Sequence, residues 1–174
     1  FLLFNLTSVF NSTTLMAGGR TINWTGLADG TYTFNATVRD SVGNQNTTST
    51  RTVAIDTTIP LIQYESQTDT DGLIAARSNI IINVSASDLN LRNITVNLYN
   101  STGLVNSSLT TTSPNYVNFS GLADGTYYFN ATINDTSDNR FTTATRVIMI
   151  DTISPLISYG IGTQANRTNV SYNW

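Results

Sequence analysis

The run Trp24-Thr25-Gly26-Leu27-Ala28-Asp29-Gly30-Thr31-Tyr32-Thr33-Phe34-Asn35-Ala36-Thr37 returns 95 residues later as Phe119-Ser120-Gly121-Leu122-Ala123-Asp124-Gly125-Thr126-Tyr127-Tyr128-Phe129-Asn130-Ala131-Thr132. The register holds without a gap from Phe1 against Val96 to Pro60 against Pro155, and 22 of the 41 positions between Arg20 and Pro60 are identical. Beyond Pro155 it starts again, Leu156, Ile157 and Tyr159 matching Leu61, Ile62 and Tyr64, while Thr168-Asn169-Val170 echoes Ser78-Asn79-Ile80. Self-similarity at one spacing makes each copy a structural unit, so any fold for this chain has to close within about 95 residues. The expected organisation is the later part of one repeat over 1–60, a complete repeat over 61–155, and the opening strands of a further repeat over 156–174, cut from a longer array.

Within the complete copy, apolar residues alternate with polar ones at period two and turn residues punctuate the runs, the pattern of half-buried strands. Helix signals are missing. The spacing predicts strands over 61–66, 79–87, 93–99, 104–110, 115–120, 126–135 and 141–151, with turns at Asn100-Ser101-Thr102-Gly103 and Asp135-Thr136-Ser137-Asp138-Asn139. Seven strands in this length match an immunoglobulin or fibronectin type III sandwich, so the expected fold is all-β, a tandem of seven-stranded immunoglobulin-like β-sandwiches. Alternation turns Tyr127, Phe129, Ala131 and Ile133 to the face where two sheets meet, and Tyr32, Phe34, Ala36 and Val38 do the same in the first copy.

Leu-Ala-Asp-Gly-Thr-Tyr, followed by Asp40 to Asn44 and by Ile55-Asp56-Thr57-Thr58-Ile59-Pro60, resembles the bacterial and archaeal Ig-like, fibronectin type III-like tandem repeats of cell-surface proteins, and the resemblance covers essentially the whole chain. It implies that Tyr32 and Tyr127 act as tyrosine corners, each bonding a nearby backbone group where the chain passes between sheets. Such repeats serve as spacers, adhesins, filament subunits and surface-layer segments alike, so the fold leaves the function open.

Composition narrows the choices. Charged residues are only 11% of the chain, with eight arginines, no lysine, no histidine, ten aspartates and one glutamate. A net charge of −3 without a basic cluster removes the counterion-release attraction on which nucleic-acid binders rely, and disfavours anionic membranes. Absence of cysteine rules out disulfides and zinc knuckles, and absence of lysine rules out the isopeptide bonds that a likeness to Gram-positive pilins would imply. Phe1-Leu2-Leu3-Phe4 is too short to span a bilayer and reads as part of a strand, so no membrane insertion is expected in this segment. Catalysis lacks material: no histidine or lysine base stands ready for a serine or threonine nucleophile, and no phosphate-cradling glycine loop occurs. No enzyme activity and no cofactor is expected.

Of the 21 asparagines, fourteen lie in Asn-x-Ser/Thr acceptors: Asn5, Asn11, Asn23, Asn35, Asn46, Asn83, Asn93, Asn100, Asn106, Asn118, Asn130, Asn134, Asn166 and Asn169. Two explanations stand. Alternating polar positions of a threonine-rich strand generate Asn-x-Thr unaided, or the acceptors carry N-linked glycans, in which case each must sit on a solvent-facing side. Alternation turns Asn83, Asn93, Asn118 and Asn130 outward. Sugars there would coat sheet faces and edges, replacing charge as the barrier to aggregation. Dense acceptors without disulfides fit an exported archaeal surface protein better than an animal one.

The joints Ile55-Asp56-Thr57-Thr58-Ile59-Pro60 and Ile150-Asp151-Thr152-Ile153-Ser154-Pro155 leave hardly any linker, and proline fixes φ, so consecutive units should form a stiff rod. Asp69-Thr70-Asp71-Gly72 resembles half a calcium loop, and Asp56, Asp88, Asp135, Asp138 and Asp151 are candidates for interdomain calcium, against the commoner role of aspartate in turns and caps. Trp24 alternates with Ile22 and matches Phe119, which makes it core rather than a sugar platform; Tyr99 and Tyr128 are the outward aromatics. The expected function is a structural module of a glycosylated extracellular filament or surface layer, at the cell surface, with neighbouring copies or repeats of the same protein as partners. Alternatives are the stalk of a cell-surface adhesin and an accessory carbohydrate-binding module of a secreted enzyme. Strands from 156–174 completing the 1–60 portion of a neighbouring chain would join copies head to tail.

Overall fold

A computed structural model describes residues 1–6, 8–16, 18–19, 21–158 and 160. Every element of regular structure among them is a strand. The first copy contributes β1 (Leu2–Asn5), β2 (Ser8–Ser12), β3 (Gly30–Asn35), β4 (Thr37–Arg39), β5 (Gln45–Thr47) and β6 (Arg51–Ile55). The second contributes β7 (Leu61–Tyr64), β8 (Leu73–Ala75), β9 (Asn79–Ser87), β10 (Leu91–Asn100), β11 (Gly103–Thr110), β12 (Asn115–Ser120), β13 (Gly125–Asp135), β14 (Arg140–Thr142) and β15 (Arg146–Ile150). The stretch from Thr168 and the acceptors Asn166 and Asn169, read above as the start of a further repeat, lie outside the described residues.

In the second copy the strands form two layers. One sheet runs β12-β9-β7, and the other runs β11-β10-β13-β15-β8, with β14 pairing on β13. Tyr127, Phe129, Ala131 and Ile133 face inward as predicted, and across the core Ile80, Ile82 and Val84 on one sheet meet Ile94, Val96, Leu98, Phe129, Ala131 and Ile133 on the other. Burying some sixteen apolar side chains at about 25 cal/mol per Å² of apolar surface is what holds the layers together in a chain without disulfides.

Two strand boundaries depart from the sequence reading. The run expected over 141–151 is broken at residues 143–145. There the Thr143 hydroxyl accepts the Ala131 N–H at 3.0 Å, doing what a backbone carbonyl does in a regular ladder, while Thr143 N–H donates to Ala131 O at 2.9 Å. Tyr64, reaching across from β7, accepts from the Thr143 hydroxyl and donates to Ala144 O, both at 2.8 Å, so the break is also where the two sheets are tied. The second departure is β8, a three-residue strand parallel to β15 that joins the larger sheet rather than following β7. It is anchored just ahead of its start: the Asp71 carboxylate accepts Val147 N–H at 2.7 Å and Gly72 N–H donates to Val147 O at 2.8 Å.

In the first copy β2-β1-β3-β6 make a four-stranded sheet, with β4-β5 as a separate hairpin. Leu3 and Tyr32 are buried, and Trp24 packs edge-on against Phe34 with centroids 6.2 Å apart. The expectation that Phe34, Ala36 and Val38 are core fails here. Val38 is 69% exposed and Phe34 and Ala36 only half-buried, whereas their equivalents Ile133, Phe129 and Ala131 are all 0% exposed. The physical reason is that no sheet equivalent to β12-β9-β7 lies over this face among the described residues.

Both copies share one polar turn. Asp40 accepts the N–H groups of Val42 and Asn44 on one carboxylate oxygen and the Asn44 amide on the other, at 2.8–3.0 Å. Asp135 holds Ser137, Asn139 and the Asn139 amide identically, at 2.7–2.8 Å. The fourth turn position takes φ of 97° at Gly43 and 69° at Asp138, a left-handed conformation that glycine and aspartate tolerate best. Burial alone would raise the Asp135 pKa, but the Asn139 amide, the turn N–H groups and Arg92 together bring it below the ordinary 3.8.

Two predictions follow from this packing. Phe129→Ala should destabilise by about 3–5 kcal/mol in urea unfolding, because its ring fills the inter-sheet core, whereas Tyr128→Ala on the outer face should cost under about 1 kcal/mol. Since the folded-state pKa of Asp135 is depressed, its contribution is complete above 3.8 and is lost as pH falls through the lower folded value. Asp135→Asn should therefore lower the unfolding midpoint at pH 6, where two amides now face each other, and give a shallower loss of stability on acidification.

Candidate functional site

The acceptor asparagines divide by exposure. Asn5, Asn11, Asn23, Asn46, Asn106 and Asn118 are exposed; Asn35, Asn83, Asn93, Asn100, Asn130 and Asn134 are half-buried, and none of these twelve falls in the core. Alternation correctly puts Asn83, Asn93, Asn118 and Asn130 on the side away from the apolar core, but only Asn118 is exposed, and its Oδ1 accepts from Asn79 Nδ2 at 2.9 Å.

Side-chain bonding separates them further. Asn35 and Asn130, equivalent across the repeat, each donate Nδ2 to a threonine on the next strand segment, Thr50 at 3.5 Å and Thr145 at 3.4 Å, and the Oδ1 of each is enclosed without a partner. The hydroxyl of each acceptor motif is engaged as well: Thr37 pairs with Thr47 at 2.8 Å, and Thr132, 6% exposed, pairs with Thr142 at 2.9 Å. These threonine contacts were missed in the sequence, although Thr47, Thr48 and Thr50 recurring as Thr142, Thr143 and Thr145 was a visible signal. Asn83 donates to Gln67 Oε1 at 3.3 Å and Asn134 to Asn93 Oδ1 at 2.9 Å. Asn100 is different: its Oδ1 accepts both the N–H and the hydroxyl of Thr102, at 2.9 and 2.7 Å.

Tyr32 OH donates to Ala28 O and Tyr127 OH to Ala123 O, each at 3.0 Å and each four residues upstream. A buried phenol bonded to backbone pins the approach to β3 and β13, the geometry of a tyrosine corner.

At the joint between the copies, Asp29 Oδ1 accepts the N–H of Thr57 at 3.0 Å and its hydroxyl at 2.8 Å, while Oδ2 accepts the Thr58 hydroxyl at 2.7 Å. Those hydrogen bonds hold the Asp29 pKa below its ordinary 3.8. Across the joint, Asn90 donates to the Asp56 carboxylate at 2.6 Å and Asn139 donates to Asp56 O at 3.0 Å, so the second copy grips the first residue of the connection. Asn90 and Asn139 were not singled out in the sequence, because partners 34 and 83 residues apart leave no local pattern. The joint recurs after β15, where Asp124 accepts Thr152 N–H at 3.0 Å and its hydroxyl at 2.8 Å.

The aspartates considered for calcium are occupied by protein donors. Asp69 pairs with Arg77 and accepts Ile81 N–H at 2.8 Å, Asp71 caps Val147, and Asp56, Asp135 and Asp138 are engaged at the joint, the turn and Arg92 respectively. No group of three or more metal-ligating side chains converges among the described residues. On the outer face of the larger sheet, Tyr99 and Tyr128, the outward aromatics of the sequence, are direct cross-strand partners, flanked by Leu104 and Val147.

Residues 3–57 match the family model of the bacterial Ig-like domain. No curated protein matches the chain. Among solved structures, an engineered protein is similar at 18% identity over 58% of this chain and 22% of its own, with a TM-score of 0.42. The fibronectin(III)-like modules of Clostridium thermocellum CbhA are similar at 20% identity over 55% of this chain and 100% of theirs, TM-score 0.41. CopC from Methylosinus trichosporium OB3b is similar at 15% over 51% of this chain and 91% of its own, TM-score 0.38. The family match falls on the first copy, and the same motif recurs 95 residues later in the two-layered second copy.

Proposed function

We propose that this chain is a structural module of a glycosylated extracellular filament or surface layer, in which Ig-like units follow one another as a rod at the cell surface. The observation that carries the reading is the joint. Five residues separate β6 from β7, and they are held on one side by Asp29 and on the other by Asn90 and Asn139. Pro60, buried, withholds a donor and fixes φ within that connection. A linker whose polar side chains, Asp56, Thr57 and Thr58, are all hydrogen-bonded has few conformations to visit, which favours a set angle between units over free rotation. The stalk of an adhesin would use the same rod to carry a separate binding tip.

A second reading is supported by the open face of the first sheet. Strands from residues 156–174 of another copy would cover Val53 there and Val38 on the β4-β5 hairpin, and chains would add head to tail.

Electron microscopy of native material should show thin rods or a lattice; a compact single particle overturns the filament reading. Because the chain lacks cysteine, spin labels at Ser41→Cys and Ser101→Cys report on the joint cleanly. A narrow distance distribution is expected, broadening in the Asp29→Ala, Asn90→Ala double variant. The head-to-tail reading requires concentration-dependent assembly that is abolished when residues 156–174 are deleted. A full chain monomeric at every concentration rules it out.

A further inference from the structure

We infer that, in the folded protein, Asn100 in the turn between β10 and β11 is open to sugar addition and that Asn35, Asn83, Asn130 and Asn134 are structural asparagines closed to modification. The inference rests on the glycosylated-surface reading and decides which of its acceptors serve it.

Asn100 stands at the end of β10, beside exposed Ser101, Thr102 and Gly103. Its amide orientation is unambiguous, because the atom facing Thr102 N–H has to be an acceptor, so that atom is the oxygen. Nδ2 therefore points the other way and makes no hydrogen bond among the described residues. The Thr102 hydroxyl, which an acceptor motif requires, already lies on the same amide oxygen. Two donors on Oδ1 stabilise the negative charge that develops there as the nitrogen begins to lose its proton. With a phosphate-linked sugar as donor, Nδ2 forms a bond to the anomeric carbon, the carbon–oxygen bond to the phosphate breaks with its electron pair leaving on phosphate, and one amide proton passes to a base of the transferase.

At Asn35 and Asn130 either orientation of the amide blocks the reaction. As assigned, Nδ2 is bonded to Thr50 or Thr145; flipped, the nitrogen becomes the enclosed atom. Asn83 repeats the pattern, with Nδ2 on Gln67 and Oδ1 enclosed. Asn134 is committed to Asn93. In the Asn130 motif the hydroxyl of Thr132 is buried against Thr142, so neither end of the motif is presented. Sugar could reach these positions only after the strand opens, and local opening in the middle of a sheet is rare.

The test uses the unglycosylated full chain, a soluble N-glycosyltransferase with UDP-glucose, and peptide mapping of hexose by mass spectrometry, with proteolytic peptides of the same chain as the unfolded reference. In the folded chain Asn100 should be modified, whereas Asn35, Asn83, Asn130 and Asn134 should react more than about tenfold slower than in the peptides, reflecting the opening step. Equal rates at Asn130 and Asn100 in the folded chain, or an inert Asn100 whose peptide reacts, overturn the inference. Glycopeptide mapping of native material separates the two layers: acceptors bare throughout overturn the sugar coat itself, while sugar on Asn130 with a bare Asn100 overturns the ranking alone.

Discussion

The second unit depends on the closure of one sheet over the other. Phe129, Ile133, Val96 and Leu98 from the larger sheet and Ile80, Ile82 and Val84 from the smaller are wholly out of water. No disulfide and only two ion pairs accompany them among the described residues, and exposed ion pairs contribute little. The first unit shows the converse. The matching motif, Tyr-Thr-Phe-Asn-Ala-Thr in place of Tyr-Tyr-Phe-Asn-Ala-Thr, is again extended, as β3 and β4 split at Ala36, yet Val53 is 37% exposed where its counterpart Ile148 is fully buried. Strand formation is thus local, while burial requires the opposing layer.

Around that core, hydroxyls and amides perform the tasks that charges perform elsewhere. Thr143 substitutes its side chain for a ladder partner, Tyr64 ties the two sheets at that break, and the Arg146 guanidinium lies 4.2 Å over the Tyr64 ring. Tyr64 also meets Phe129 edge-on at 5.6 Å. Neutral groups bonded to backbone avoid the desolvation that buried ions incur, which lets a chain so poor in charge keep ordered polar edges. Aspartate stands where several donors converge, at the Asp40 and Asp135 turns and at the Asp29 joint, where an ionised acceptor is strongest.

The same economy bears on the acceptor motifs. Asn-x-Thr in the middle of β13 is accounted for by its own contacts, since Asn130 and Thr132 each bond a threonine on the neighbouring segment. Asn-x-Thr at the β10–β11 turn satisfies only itself. One sequence pattern therefore makes two kinds of contact, to a neighbouring segment within the sheet and to its own threonine at the strand end, and the repeat preserves the first kind at Asn35.

Much of this architecture was legible beforehand. Period-two alternation placed Ile82, Phe119 and Phe129 inward because side-chain direction in a strand depends on the residue's own backbone and its two neighbours. Asp135 through Asn139 was readable as a turn for the same local reason. The three-residue β8, the break at Thr143 and the grip of Asn90 and Asn139 on Asp56 were not, since each arises from partners more than thirty residues away or leaves too short a run to show a period. What the chain's order of residues determined by itself was the 95-residue unit, its all-β character and which side of each strand is apolar. Tertiary structure alone decided how deep each outward asparagine sits and which sheet is covered, because alternation assigns a direction to a side chain while neighbouring strands assign the space around it.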